Sequence, residues 1–308
     1  MDDRVVRAEE VLRPAVGDRL RVSFAMAPLT TLRVGGPAAL YLEPESEDDL
    51  VAVSRAVVAS AVPFVVIGKG SNMLVADEGF PGLVLRLGRR YRWVSRDRGR
   101  LTAGGAMPLP ALSGVALHHD LAGLEFGVAI PATVGGAVRM NAGAHDRTMS
   151  EVVDRVEVFR LTQGATEIVA GEDAGFTYRG SALPRDSVVT AVTVALTPGE
   201  GGTIRALMDE ARDWRRRTQP LAEPNCGSVF KNPAGDHAAR LIQAAGLKGL
   251  RVGGAHVSNK HANFIVTEPR ARAADVVALI HEIQSRVEAA DGIRLEPEVH
   301  LIGAAEDA

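Results

Sequence analysis

An apolar triplet, Leu40-Tyr41-Leu42, precedes Ser46-Glu47-Asp48-Asp49, and apolar residues then recur at Leu50, Val53, Val57 and Val58. The triplet predicts a short strand. A serine ahead of acidic residues opens a helix because its hydroxyl can take an otherwise unpaired amide, and spacing by three and four puts the apolar residues on one stripe. Pro63 closes that helix, and PFVVIG reads as a buried strand running into the loop Gly68-Lys69-Gly70-Ser71-Asn72. The segment predicts a β-α-β unit, with a further strand at Leu83-Val84-Leu85.

From about Tyr91 the pattern changes. WVSRD, the stretch 100–103, VVDRVEVFRL, ATEIVA and SVVTAVTVAL are strand-like, several of them alternating. Among them lie a helical stretch, 109–118, and a glycine-rich segment, 123–143. The run Thr197-Pro198-Gly199-Glu200-Gly201-Gly202 predicts a linker. Beyond it, helices are expected over 205–217, 236–245 and 273–290, with the strands HANFIV and EVHLIG beside the last. The chain therefore reads as three modules, 1–95, 96–199 and 200–308, without internal repeats.

Composition narrows the class. With 308 residues, 46% hydrophobic, the chain is long enough for several packed cores and too apolar for disorder. A net charge of −3 without a basic block argues against a nucleic-acid or anionic-membrane surface. One cysteine, Cys226, excludes a disulfide framework and a multi-cysteine metal site. The start carries no signal-peptide pattern and no run approaches a membrane span, so a cytoplasmic protein is expected. Only four of 35 basic residues are lysine, namely Lys69, Lys231, Lys248 and Lys260, each in a Gly- or Asn-rich segment, which favours a shared site.

Two segments can hold a ligand. The loop Gly68–Asn72 offers consecutive amides suited to a phosphate or pyrophosphate, although it matches neither a dinucleotide fingerprint nor a Walker loop. A tight structural turn is the equal alternative. The second segment joins Ile130-Pro131 to Gly135-Gly136 and ends in Asn141-Ala142-Gly143, and its small residues let a planar ring or phosphate approach the main chain. Cys226 reads as a packing residue, and His118-His119 as a helix end rather than a metal pair.

TTLRVGGPA, VIGKGSNMLVAD, IPATVGGAVRMNAGA, FTYRGS, GSVFKNP, AGLKG, GGAHVSNKHANFIV and EPEVHLIG follow one another in order from about Thr30 to Gly303. Together they closely resemble the UDP-N-acetylenolpyruvoylglucosamine reductases, also called MurB or UDP-N-acetylmuramate dehydrogenases. The resemblance implies an α+β chain: two modules of the vanillyl-alcohol-oxidase-like type enclose non-covalent FAD, and a C-terminal α+β module binds the sugar nucleotide. NADPH is the implied co-substrate, in peptidoglycan precursor synthesis for cell-wall biogenesis, cell shape and division. No metal and no obligate protein partner are implied.

Position by position, the resemblance puts FAD at Gly68, Lys69, Gly70, Ser71, Asn72, Ile130, Pro131, Thr133, Gly135, Gly136, Asn141, Ala142 and Gly143. Arg179 matches the catalytic arginine, Ser228 the proton donor and Glu298 the catalytic carboxylate, while Asn232, Lys248 and His261 fall on substrate-contact positions. Read alone, Arg179 is a hairpin residue, Ser228 a turn or cap serine and Glu298 a solvent-facing strand residue. The sequence departs from the family at Ala132 and Asp146, where glycine is common, so an added methyl is expected to alter the flavin's approach to the turn at Ala132. The short interval between Tyr178-Arg179 and the strand near Val188 leaves no room for a long tyrosine-bearing loop, which implies the subgroup lacking it.

Overall fold

The computed structural model describes residues 2–303; Met1 and residues 304–308, the outer ends of the first and third expected modules, lie outside them. The chain divides into two compact units, one made of residues 1–22, 39–69 and 81–214 and the other of 23–38, 70–80 and 215–308. Two short segments from the first expected module thus belong to the same unit as the C-terminal part. The boundary near the C-terminal end of the first unit falls after Trp214, inside a helix, and not at the glycine-rich run 197–202. That run is structured: Thr197–Pro198 pairs with Leu121–Ala122, and Gly201 already begins the helix.

The first unit has two main cores. Helix α1 (Asp3–Val16) buries Val5, Ala8, Leu12 and Val16 along one stripe and packs against α2 (Glu47–Ser60). Ser46 caps α2, its hydroxyl accepting from Asp49 N at 3.2 Å. Leu50, Val53 and Val57 are buried as the periodicity predicts, but Val58 is 63% exposed, because its position falls past the edge of the stripe. The strands Pro37–Leu42, Phe80–Leu85 and Phe64–Val66 lie side by side in that order, so a third strand separates the two arms of the expected β-α-β unit.

The second core lies on a five-stranded antiparallel sheet ordered Ala165–Ala170, Val153–Arg160, Ser187–Ala195, Arg100–Gly104, Val94–Asp97. Period-two alternation sends Val156 and Val158 into this core, while Phe159 joins the core under α1 and α2. Helices α3 (Leu109–His118) and α4 (Val134–Arg139) supply Leu109, Leu112, Val134 and Val138 to the same core as Val156. The glycine-rich segment is therefore partly helical, Thr133 capping α4 through Gly136 N at 3.3 Å. Helix α5 (Gly201–Thr218) buries Ile204, Met208 and Ala211 beside Val128 and Ala129.

In the second unit, α6 (Ala238–Ala244) and α7 (Ala273–Asp291) pack around a core of Leu241, Ile242, Val276, Leu279 and Ile283. Asp77 holds the start of α7 by accepting from Ala273 N at 2.8 Å and Ala274 N at 3.0 Å. A three-stranded antiparallel sheet runs Arg251–Val252, Ala255–Val257, Ile265–Thr267, so only the end of HANFIV is strand. The C-terminal strand His300–Ile302 pairs in parallel with Met73–Val75.

Candidate active site

Five amides in a row, from Gly68 to Asn72, enter no hydrogen bond among the described residues. Gly70 adopts φ +62°, and a Cβ there would lie 2.1 Å from Leu29 O, so only glycine permits this backbone. At Gly68 a Cβ would lie 2.5 Å from Thr133 Oγ1, so within the first unit this glycine lies directly against the second expected cofactor segment. The segment 130–143 differs: Val134 N donates to Met107 O, Gly135 N to Gly105 O, Gly136 N to Thr133 Oγ1 and Ala137 N to Thr133 O. Its glycines therefore offer a thin wall rather than free donors.

Other glycine pairs serve packing. A Cβ would meet Tyr91 O at 2.2 Å from Gly104, Val189 O at 2.0 Å from Gly105, and Asp77 O at 2.2 Å from Gly36. Ala132 stands outside the left-handed region and packs against the α3–α4 core, so its methyl is accommodated there. Asp146 has φ +59°, the conformation in which glycine would be free of strain.

Arg179 lies in the loop between the strands ending at Ala170 and beginning at Ser187, half-buried, with φ +59°. Thr177 and Gly180 close its turn as a bridge, the Arg179 guanidinium stands 4.9 Å from the Tyr178 ring centroid, and a Cβ on Gly143 would approach Arg179 Nη1 to 3.4 Å. Arg179 and the Asn141–Gly143 stretch are thus neighbours. Asn141 is 6% exposed, and its side chain already donates to Thr177 O at 2.9 Å and accepts from Ser150 N at 2.9 Å.

Ser228 and Glu298 belong to the second unit, where two irregular stretches run antiparallel. Glu298 N donates to Val229 O at 2.7 Å, Lys231 N donates to Glu296 O at 2.9 Å, and Phe230 bridges Pro297. Ser228 therefore sits one residue from the strand position that Glu298 pairs with. Asn263 holds this arrangement from beneath: it is 4% exposed, its Oδ1 accepts from Phe230 N at 2.9 Å, and its Nδ2 donates to Phe230 O at 2.8 Å. Asn72 Nδ2 donates to Glu298 O at 3.1 Å, so one end of the Gly68–Asn72 loop is tied to the glutamate's backbone. Sequence reasoning singled out neither the clamp by Asn263 nor this tie.

Cys226 is buried and its thiol is pushed up to about 12, first by burial and also by the nearby Glu298 charge. A thiol so raised is a poor acid and a poor nucleophile, in line with the packing role. His261 is depressed, first by burial and then by Lys248; Asn263 N donates to its Nδ1 at 3.2 Å, which leaves the ring proton on Nε2. Lys248 is exposed in the turn after α6, and Asn232 Oδ1 accepts from Ala238 N at 3.1 Å at the start of α6.

Two of the four lysines are held by local partners. Lys231 is paired with Glu296 at 2.5 Å, and Lys260 donates to Arg216 O at 2.6 Å. Local pairing explains Lys231 and Lys260, while Lys248 stands close enough to His261 to depress its ring. His118 ends α3 and His119 caps it, and among the described residues no cluster of potential metal ligands exists. No helix of the described residues is long and apolar enough to cross a membrane.

The signature of the FAD binding domain family matches residues 38–169. The chain is an FAD-dependent oxidoreductase. The signature of the UDP-N-acetylenolpyruvoylglucosamine reductase C-terminal domain matches residues 219–302. The reductase of that name from Heliobacterium modesticaldum is 45% identical over 280 residues, covering 90% of this chain and 89% of the relative. UDP-N-acetylenolpyruvoylglucosamine reductase 2 of Symbiobacterium thermophilum is 43% identical, covering 96% of each. The crystal structure of the Thermus caldophilus enzyme superposes with a TM-score of 0.81 at 38% identity, covering 92% of this chain and 99% of that one. The chain belongs to the UDP-N-acetylenolpyruvoylglucosamine reductase family. The expected combination of an FAD-binding fold with a C-terminal domain of this family is met.

Proposed function

We propose that this chain reduces the enolpyruvyl ether of UDP-N-acetylglucosamine-enolpyruvate to UDP-N-acetylmuramate, with NADPH as reductant, as a cytoplasmic step of peptidoglycan precursor synthesis that serves cell shape and division. The observation that carries the reading is the antiparallel pairing that holds Ser228 beside Glu298. Non-covalent FAD, when bound, would supply a carrier for the hydride, with its two electrons, that NADPH gives up.

The amides of Gly68–Asn72 are suited to bind the cofactor's phosphates, and Ile130–Gly143 to line its ring. The net change at the substrate adds a hydride to the terminal alkene carbon and a proton to the carbon beside the carboxylate. Between these additions, negative charge spreads into the carboxylate as an enolate. The Arg179 guanidinium is suited to hold that charge, which a fixed, charge-assisted donor stabilises more than it stabilises the starting ether. Ser228 Oγ–H is the proton donor; a hydroxyl suffices against so basic a carbon. Glu298 holds the carboxylate side of the substrate or orders a water there. Asn232, Lys248 and His261 bind the sugar nucleotide, the Lys248 ammonium meeting its diphosphate.

Stopped-flow absorbance of holoenzyme under anaerobic conditions tests the assignment. Ser228→Ala is expected to accept electrons from NADPH at nearly the parent rate, and to pass them to the enolpyruvyl substrate ~10²–10⁴-fold more slowly, the loss typical of a missing general acid. Ser228→Cys is expected to recover part of it. A Ser228→Ala enzyme that turns over substrate at the parent rate overturns the role of Ser228.

A further inference from the structure

The loop that carries Arg179 is fastened on both sides to one short stretch of chain. Before the arginine, Asn141 Nδ2 donates to Thr177 O at 2.9 Å. After it, Ser181 Oγ donates to Arg139 O at 2.9 Å. The loop's exit is held as well, because the Arg139 guanidinium donates to Leu183 O and Pro184 O at 2.9 Å and to Ser187 O at 2.8 Å.

These contacts oppose a real tendency to relax. Arg179 has φ +59°, a left-handed conformation that a residue with a Cβ leaves unless its surroundings hold it. Within the loop, Thr177 N donates to Gly180 O at 3.0 Å and Gly180 N returns to Thr177 O at 3.3 Å, which closes the turn but does not orient it. Orientation comes from Asn141 and Ser181. The Asn141 amide cannot rotate freely, since its Oδ1 accepts from Ser150 N at 2.9 Å.

We propose that Asn141 and Ser181 are positioning residues for Arg179, setting where its guanidinium stands for the substrate carboxylate. The inference rests on the reading of Arg179 as the group that holds the developing charge. Neither side chain needs to touch the substrate. Both act through a backbone carbonyl, Asn141 on that of Thr177 and Ser181 on that of Arg139.

The test is a double-mutant cycle on holoenzyme, read by single-turnover oxidation with the enolpyruvyl substrate and by hydrogen exchange across residues 177–181. Ser181→Ala is expected to lower the rate constant roughly 10-fold, a fraction of the ~10²–10³-fold lost when an electrostatic donor is deleted outright. Ser181→Thr, which keeps the hydroxyl, is expected to restore most of it. Asn141→Asp keeps the acceptor for Ser150 N, loses the donor to Thr177 O, and is expected to be slowed as much or more. Both losses should vanish in an Arg179→Ala background, because a residue acting through Arg179 has nothing left to position. Exchange at 177–181 should quicken in Ser181→Ala. A purely structural defect would instead reduce the amplitude of the turnover and leave the rate constant of the surviving enzyme unchanged.

The proposal is overturned if Ser181→Ala turns over at the parent rate, or if it costs as much without Arg179 as with it. If Arg179→Ala alone is as fast as the parent, the reading of Arg179 fails instead.

Discussion

Replacing Asn263 by alanine removes two buried hydrogen bonds that hold the Ser228 segment. Phe230 is 1% exposed, and its N–H and C=O both end on the Asn263 amide, at 2.9 and 2.8 Å. Without that amide, each backbone group is left buried and unpaired at a cost of about 1–3 kcal/mol, about 2–6 kcal/mol for the pair. A typical domain has only about 5–15 kcal/mol of stability in all. Asn263→Asp isolates one half of the effect, since it keeps an acceptor for Phe230 N and faces Phe230 O with a second oxygen. The assay must report on the second unit, and Trp93 and Trp214 both belong to the first. Hydrogen exchange over a peptide covering 226–232, with circular dichroism melting, reports directly. Both variants are expected to lose protection there and to melt earlier, alanine and aspartate alike. An alanine variant within about 1 kcal/mol of the parent, with unchanged protection, would refute the assigned load on the amide.

Three further outcomes follow from the geometry. Gly70→Ala forces a Cβ to within 2.1 Å of Leu29 O at φ +62°, so the variant should lose FAD on gel filtration or fail to fold, whereas Lys69→Ala should keep FAD. Asp146→Gly relieves a left-handed φ of +59°, roughly 1–2 kcal/mol of strain, against about 0.5–1 kcal/mol of added chain entropy, and should raise the thermal midpoint slightly, as read by calorimetry. The His261 ring should titrate below the ordinary histidine range by NMR, and Lys248→Gln should raise it only partly, since burial is the larger cause. The sign for stability is fixed: below pH ~6.5 the unfolded chain takes up a proton that folded His261 refuses, so this residue's contribution falls as pH falls through that range.

By itself the sequence determined the elements whose signals are local. Alternation placed Val153–Arg160 and Ser187–Ala195, and three-four spacing with a serine cap placed α2. The ordered motifs were enough to recognise the family. Helix α1 escaped this reading although Val5, Ala8, Leu12 and Val16 carry the right spacing, because charged residues fill the rest of its surface. The tertiary structure alone decided which groups meet. Asn72 reaches Glu298 across 226 positions, Asn263 reaches Phe230 across 33, and Lys231 finds Glu296 across 65. Such contacts have no local periodicity or spacing, since they depend on how strands pair. The glycines show the same limit: as a string, Gly68-Lys69-Gly70 and Gly104-Gly105 look alike, yet the first borders free amides and the second presses on the carbonyls of Tyr91 and Val189. Whether a thin backbone meets a ligand or another backbone is a property of the packed chain, because only the fold decides what stands opposite.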